Sequence, residues 1–293
     1  MAVIARPIPV SLTRSRSDRR RAIVDRFFRG LAAVAAVICV IPLFAVVAYV
    51  VINGIGALSI DLLTKPPRAL GVGGGAAAAI LGSIQMVALA SVLAIPIGIL
   101  AAVYVSEFGG RRSATVIRFS ADVLVGIPSI LIGIFVFTFL VLPFHQYNAF
   151  AGGVALALLM IPVVMRTTEE IIRLVPKSLR EAALALGVPA WRTVASVVLR
   201  TGLSGILTGV MLAVARAIGE TAPLLFTALG SRLINVGTFS KPMDALPIFI
   251  YVNARQPIEA LNQQAWGAAL LLLLFVLTVN ILVRARSWGR KAR

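Results

Sequence analysis

An arginine and a glutamate, Arg216 and Glu220, stand at the end of an otherwise apolar stretch of this 293-residue sequence. An ionisable side chain in such a stretch costs at least ~2.5–3.5 kcal/mol at the centre of a bilayer, and usually marks a pathway or a partner. The two are four residues apart, so they can pair on one helix face. Arg216 can give an oxyanion two parallel hydrogen bonds, and the hydroxyl of Thr221 can add a third. The residues therefore predict either an oxyanion site or an ion pair that tolerates its position near the membrane surface.

Other residue types that commonly carry chemistry are isolated or wrongly spaced. Cys39 and His145 each occur once, which excludes an intrachain disulfide and a His/Cys metal cluster, so both are expected to be structural. The sequence contains no HExxH motif and no Ser/His pair. The glycines of 71–75 lack the lysine of a nucleotide-binding P-loop. The chain is therefore not expected to be an enzyme, and any ATP would be bound by a partner.

The composition is that of an integral membrane protein, with 59% hydrophobic and 13% charged residues. About 20 apolar residues cross a bilayer. Six stretches are predicted to do so: 27–52, 79–105, 121–142, 150–165, 202–219 and 266–284. Residues 1–26, rich in Arg, Ser and Pro, predict a disordered basic tail in the cytoplasm. Residues 27–293 then form an all-α transmembrane domain with its core at about 75–284.

The basic residues predict how the chain is oriented. If the N-terminus is inside, the inside segments 1–29, 106–120, 166–201 and 284–293 hold 22 of the 28 Lys and Arg, and the outside segments hold five. This asymmetry is typical of cytoplasmic segments. Both termini are therefore expected in the cytoplasm. The net charge of +17 is thereby explained without nucleic acid, for which no binding signature occurs.

The outside segment 220–265 is long and only partly polar. Four prolines forbid one continuous helix. Short helices packed on the outer face are expected there.

Between the fourth and fifth stretches, residues 181–187 predict a short helix suited to docking. Ser178 and Glu181 have the spacing of a capping box at the start of this helix. Ala182 and Ala183 keep its surface slim, and Gly187 is suited to end it. Considered alone, the pattern fits either docking into a cleft on another protein or a helical hairpin packed on the chain's own cytoplasmic face.

The stretch from Glu181 to Gly187 resembles the E-A-A-x-x-x-G loop of ABC importer permeases. The longer family pattern ends in proline, where this sequence has Arg200. The run Arg216-Ala-Ile-Gly-Glu220-Thr-Ala-Pro-Leu resembles the signature of the A-type permease of high-affinity phosphate importers. Residues 161–170 and 175–183 resemble the same subfamily. The resemblance extends from about residue 30 to the C-terminus.

The resemblance implies a type I importer permease with six transmembrane helices, in a bacterial inner membrane. Its coupling helix would include Glu181, Ala182, Ala183 and Gly187. Its substrate pathway would include Arg216, Glu220, Thr221 and Arg166, although anchoring at the inner membrane surface alone would also explain Arg166. The implied partners are a second related permease, two copies of a cytoplasmic ATPase that bind ATP and magnesium, and an extracytoplasmic phosphate-binding protein.

Three alternatives remain at this point. Another oxyanion such as sulfate or molybdate would also suit an arginine-based pathway, although phosphate keeps a proton at neutral pH, so a hydrogen-bond acceptor such as Glu220 could favour it. A membrane-embedded enzyme would need a catalytic constellation that the sequence lacks. An independent ion-driven carrier would leave the docking loop unexplained, and no paired broken helices are evident.

Overall fold

The computed structural model describes residues 16–68 and 74–289, and these are almost entirely helical. The helices are α1 (Arg16–Gly54), α2 (Ile60–Thr64), α3 (Ala77–Val103), α4 (Arg111–Gly126), α5 (Ser129–Leu140), α6 (Ala149–Leu174), α7 (Lys177–Ala185), α8 (Ala190–Thr193), α9 (Leu199–Ile218), α10 (Ala222–Thr227), α11 (Leu246–Ala254) and α12 (Glu259–Gly289). Short 3-10 turns cover Ile55–Ala57 and Leu142–Phe144. A π-helical turn at Tyr104–Phe108 extends α3, and another at Val194–Val198 joins α8 to α9.

The chain divides into two compact units, residues 1–51 and 52–293. Helix α1 supplies the described part of the first unit. It begins at Arg16, so the prediction of disorder is wrong for residues 16–26, while residues 1–15 lie outside the described part. Arginine is a good helix former, and Asp25 pairs with Arg29 one turn later. Both favour continuing the apolar helix into the basic segment.

The core of the second unit is built on a close contact between α3 and α6. A Cβ added at Gly152 would meet Met86, and one added at Gly98 would meet Val164. Contacts thus advance in the same direction along both helices, so α3 and α6 run parallel. Helix α9 packs antiparallel to α6, because Gly209 lies against Thr167 while Gly202 lies against Ile171.

Five helices of the described chain are long and apolar enough to cross a membrane: Arg20–Ala57, Ala77–Phe108, Ala149–Leu174, Ala190–Ile218 and Glu259–Ile281. They correspond to five of the six predicted stretches. The helices that correspond to the fourth and fifth predicted stretches are longer than predicted. The former continues to Leu174, and the latter already begins at Ala190. The fourth helix continues past the predicted end at residue 165, and charged residues beyond that end, such as Glu169, remain helical because protein partners satisfy them.

The third stretch, 121–142, was expected to be one continuous span, and this is wrong. The segment of α4, Arg111–Gly126, and the segment that begins with α5, Ser129–Phe144, meet at a bend of 103°. Pro128 causes the break, because it lacks an N–H and disfavours helical geometry at the residue before it. Ile127 is accordingly extended, with φ −72° and ψ 129°. The pair makes a sixth span if it is counted as one.

Segment 220–265 contains the short helices α10 and α11, as predicted. It lies at the same end of the α3–α6 pair as the start of α6, where the N–H of Ala149 donates to the carbonyl of Lys241. The apolar start of α11, Leu246–Phe249, is buried within the protein. The π-helical turn after α3, helix α7 and the start of α9 gather at the opposite end.

Candidate functional site

Arg216 and Glu220 form the ion pair that their spacing predicts. Nε of Arg216 lies 3.5 Å from Oε1 of Glu220. Helix α9 ends at Ile218 with Gly219 as its cap, so Glu220 lies just beyond the helix and not on its face. About half of the Arg216 side chain is exposed, against 16% of Glu220. The guanidinium therefore presents N–H donors on its exposed side in addition to the one that faces Glu220.

Thr221 follows the pair directly and begins the next helix. It occupies the N-cap position of α10 without a capping bond from its side chain, and its carbonyl accepts the N–H of Leu225. The structure therefore brings together three of the four predicted pathway residues at one turn between two helices.

Small residues on α9 set the position of this turn against α6. A Cβ at Gly209 would lie 2.3 Å from Oγ1 of Thr167, and a Cβ at Gly205 would lie 2.5 Å from Ile171. Only glycine permits such an approach, which is how small residues bring membrane helices together. The glycine face of α9 therefore packs on α6.

Arg166 lies in a different cluster, on the side of α6 that faces α4. Its guanidinium pairs with Asp122 and lies 3.5 Å from Glu169. Arg216 is seven residues beyond Gly209, which contacts Thr167. At 1.5 Å per residue, Arg166 and Arg216 are therefore about 10 Å apart along the helix axes.

Glu169 is the centre of this second cluster and was not predicted. Its side chain is 3% exposed, and its carboxylate accepts hydrogen bonds from Arg118 at 2.7 Å and Arg173 at 2.5 Å. A buried carboxylate without such partners would be strongly destabilising. The helical spacing of 166, 169 and 173 could have indicated one charged face on α6. Arg118 could not have been found, because it is 51 residues away in sequence.

The docking loop forms the short helix that was predicted, with a different start. The N-cap of α7 is Pro176, without a side-chain capping bond, and Ser178 lies inside the helix. The capping box predicted for Ser178 and Glu181 is therefore wrong. The reason is that Pro176, with φ −56° and ψ 137°, already turns the chain into the helix at Lys177.

Gly187 ends α7 as predicted. Its φ is +77°, a conformation that favours glycine. The N–H of Gly187 donates to Leu184, and the N–H of Val188 donates to Ala183. These two bonds define a Schellman motif. Arg200, where the family pattern has proline, is the second residue of α9 and is exposed.

The outer surface of the loop is more apolar than the alanines alone suggested. Ala183 is 8% exposed and faces the protein, whereas Glu181, Ala182 and Gly187 are exposed. The large apolar side chains exposed beside them are Leu184 (50%), Leu186 (84%) and Trp191 (64%). Large exposed apolar groups rimmed by polar ones are typical of protein interaction surfaces. Sequence reasoning overlooked these three residues.

A polar cavity of about 370 Å³ lies at the other end of the second unit, between segment 229–232 and α11. Arg68, Arg232 and Asp244 line it. Asp244 is 8% exposed, and its Oδ1 accepts the N–H of Ala245 at 2.8 Å. Burial raises the pKa of Asp244 to about 7, although that hydrogen bond lowers it.

Known proteins similar to this chain share most of its length. The relative from Haemophilus influenzae named "Phosphate transport system permease protein PstA" is 42% identical over 261 residues, covering 89% of this chain and 92% of the relative. Proteins with the same name from Yersinia pestis and Mycobacterium leprae are 45% and 39% identical, covering 80% and 96% of this chain and 80% and 91% of their own lengths.

Solved structures show the same fold at low sequence identity. An inward-facing form of the MetNI methionine ABC transporter has a TM-score of 0.54 at 18% identity, covering 72% of this chain and 94% of the matched chain. An amino acid ABC transporter has a TM-score of 0.56 at 15% identity, covering 73% and 92%. The family model described as "Binding-protein-dependent transport system inner membrane component" matches residues 94–286. The chain therefore belongs to this family of transport-system membrane components and has the helical fold of type I ABC importer permeases.

Proposed function

We propose that this chain is the membrane-spanning subunit of an ATP-driven importer of inorganic phosphate. The observation that carries the proposal is the Arg216–Glu220 pair at the end of an apolar helix. It occurs in a chain that is 39–45% identical to relatives named phosphate transport permeases. The reading as a transporter for another oxyanion has no comparable support.

The chemistry of the pair suits phosphate in transit. Arg216 offers fixed donors to the oxyanion, and Thr221 offers a hydroxyl. Glu220 can accept a hydrogen bond from the hydroxyl group that phosphate retains at neutral pH, a group that sulfate lacks. One exposed guanidinium, already shared with a carboxylate, gives a site that releases its ligand readily, as passage through a membrane requires.

Arg166 has a secondary role in this proposal. It is already paired with Asp122 and Glu169 in the present conformation. It therefore contributes positive potential to the path, not a free pair of donors. A rearrangement of α4 against α6 would release it to meet the anion.

The energy for transport comes from partners. We infer that two copies of a cytoplasmic ATPase bind ATP and magnesium. Helix α7 docks on the ATPase, with Leu184, Leu186 and Trp191 supplying apolar contact. A second, related permease completes the pathway at Arg216, and a soluble phosphate-binding protein delivers substrate from outside. This chain has no catalytic role of its own.

The chain is placed in a bacterial inner membrane with both termini in the cytoplasm. The 22 basic residues of the four inside segments support this orientation. Segments 106–120 and 166–201, both predicted to be inside, lie at one end of the helices and pair there through Glu107 and Arg180. This contact supports placing the two segments on the same side of the membrane.

The test combines transport with partner capture. Cells that lack their own phosphate importer are supplied with this chain and the three other subunit types. Uptake of radioactive phosphate, sulfate and molybdate is then measured, and the tagged chain is purified. Phosphate uptake that requires ATP, together with co-purification of a P-loop ATPase, is the expected result. Uptake of sulfate or molybdate but not phosphate would reassign the substrate, and absence of the ATPase would overturn the importer.

A further inference from the structure

Arg180 joins three separate segments near the docking loop. Its Nε and Nη2 donate to Oε1 of Glu107 at 3.1 and 2.8 Å. Its Nη1 donates to the carbonyl of Val175 at 2.7 Å, and Nη2 also donates to that of Ile172 at 2.8 Å. One side chain of α7 is thus bonded to the π-helical turn after α3 and to the end of α6.

The chemistry of this contact requires arginine. The carbonyls of Ile172 and Val175 are at the C-terminal end of α6, where helical acceptors run short of backbone partners. The carbonyl of Ile172 already accepts the N–H of Val175 at 3.2 Å and takes Arg180 as a second donor. A cation there is also favoured by the helix dipole. The planar guanidinium reaches both carbonyls and Glu107 at once, whereas the ammonium of lysine is a compact charge on a flexible stem. Arg180 and Glu107 are 18% and 14% exposed, so water screens the pair only partly.

A small apolar cluster lies beneath the same place. Ile172, Val175 and Val198 are each 5% exposed or less and pack with Val103 and Leu199. These residues come from the ends of α3 and α6 and from the π-helical turn before α9. The π-helical turns at 104–108 and 194–198 therefore both lie next to α7. Such turns frequently occur at functional positions in helices.

The covalent link between α6 and α7 is short and contains no helix. Val175 and Pro176 are both extended, with ψ of 125° and 137°. These two residues could act as a hinge, and a push on α7 would then turn the helix without moving the membrane helices. The four hydrogen bonds of Arg180 span this hinge and oppose its bending.

We propose that Arg180 is a positioning residue that makes α7 move as one body with the inner ends of α3 and α6. This positioning role rests on the proposed function, in which a partner ATPase moves α7. Force from the ATPase then passes through Glu107 to the π-helical turn of α3 and so to the core. Without Arg180 the docking surface still forms, but the chain bends at residues 175–176, so that movement of α7 is not passed on to α3 and α6.

The first arm of the test measures coupling in the purified complex, rebuilt in lipid vesicles. Arg180→Gln, Arg180→Lys and Glu107→Gln are compared with Lys177→Gln, a control on the exposed first turn of the same helix. Phosphate transported per ATP hydrolysed should fall about tenfold or more in Arg180→Gln, the change expected when hydrogen bonds to a charged group are lost. Arg180→Lys should recover part of it, and Lys177→Gln should match the parent. Glu107→Gln added to Arg180→Gln should cause little further loss, because the two act together.

The second arm does not depend on which substrate is carried. Cys39 is replaced by serine, and spin labels are attached at Ser178 on α7 and at the exposed Leu100 on α3. The distance between them is measured by electron paramagnetic resonance with and without ATP and vanadate. In the parent, which has Arg180, the distribution of label distances is expected to be narrow and unchanged by nucleotide. In Arg180→Gln it is expected to be broad or shifted.

The outcomes separate the two proposals. If the parent carries no phosphate but its label distance depends on Arg180, the proposed substrate fails and the positioning role stands. If label distances are the same for arginine and glutamine, the positioning role is overturned whatever is carried. It is also overturned if Arg180→Gln transports at the parent's ratio, or if weaker ATPase binding accounts for the whole loss.

Discussion

At the scale of single residues, Arg216 is the most informative side chain of the proposed pathway. Arg216→Gln should abolish phosphate uptake while the complex still assembles, because the neutral amide gives up the charge that attracts the anion. Arg216→Lys should restore only part of the uptake, since it lacks the planar fork. Uptake in cells, beside capture of the ATPase, measures both effects. Normal uptake by Arg216→Gln would mean that the pair with Glu220 is merely structural.

Gly187 allows the effect of backbone shape to be separated from that of charge. A Cβ at this position meets nothing within 4 Å, so a substitution is opposed only by its φ of +77°. Asparagine tolerates this conformation better than most residues. Gly187→Asn should therefore transport nearly normally, whereas Gly187→Asp, which also adds a charge to the docking surface, should uncouple ATP hydrolysis from uptake. Equal and normal transport by both would contradict a docking role for this turn.

Asp244 predicts a pH dependence of stability. Its pKa in the folded protein is about 7 and its usual value is 3.8, so the folded state binds more protons between these values. Stability should accordingly fall as pH rises from about 4 to about 7. Asp244→Asn keeps the acceptor for the N–H of Ala245 but cannot ionise. In detergent, the thermal midpoint of the variant should exceed that of the parent at pH 8, with a smaller difference at pH 5. A constant difference across this range would contradict the assignment.

Sequence reasoning found the ion pair whose members are close along the chain, and it missed the pairs whose members are far apart along the chain. Arg216 and Glu220 are four residues apart, and the last turn of α9 with its cap at Gly219 brings them together. Glu169 and Arg118 are 51 residues apart, and Arg180 and Glu107 are 73 apart. Only the packing of α4 on α6, and of α7 on the end of α3, makes these pairs. Local spacing contains no trace of either arrangement.

At the scale of elements, the contact of α9 with α6 depends on its glycines. Gly209→Ala would place a Cβ 2.3 Å from Oγ1 and 2.6 Å from Cβ of Thr167. Such overpacking typically costs about 1–3 kcal/mol of stability. The thermal midpoint in detergent should therefore fall. Gly30→Ala is the matched control on helix α1, where the added Cβ meets nothing within 4 Å. If both variants had the parent's midpoint, close packing at Gly209 would not limit stability.

Element type was predictable here, whereas element ends were less so. Apolar length alone identified five spans, because backbone groups in lipid must be satisfied within a helix. The bend between α4 and α5 was missed although Pro128 stood in the middle of the third stretch. An apolar run in sequence does not reveal whether its helix continues or turns. The false capping box at Ser178 has a similar origin, since Pro176 had already begun the helix.

At the scale of the whole molecule, the orientation of the loops can be tested by labelling. In a Cys39→Ser background, a cysteine at Ser178 should be protected from an impermeant reagent added outside intact cells. It should react once the membrane is opened. A cysteine at Lys241, in segment 220–265, should react from outside and serves as the control. Labelling of Ser178 and not Lys241 in intact cells would invert the proposed orientation.

The parallel arrangement of α3 and α6 accounts for the number of crossings. Two parallel neighbours in the chain require a return path between them, and α4 with α5 is the segment available. The bent pair must therefore bring the chain back across the membrane. With the bent pair counted as one span, the described chain has up to six helical segments that could cross a membrane.

The bend of 103° has a further consequence for how the protein sits in its lipid. If α5 makes the return along the membrane normal, α4 must lie nearly flat at the membrane surface. Its exposed apolar side chains Val116, Phe119 and Val123 fall on one helix face, as in helices that rest at the level of the lipid headgroups. The 12 residues of α5 extend only about 18 Å, against about 30 Å of hydrocarbon. In that arrangement α4 would hold the protein at the level of the lipid headgroups, and α5 alone would cross only part of the hydrocarbon beside it.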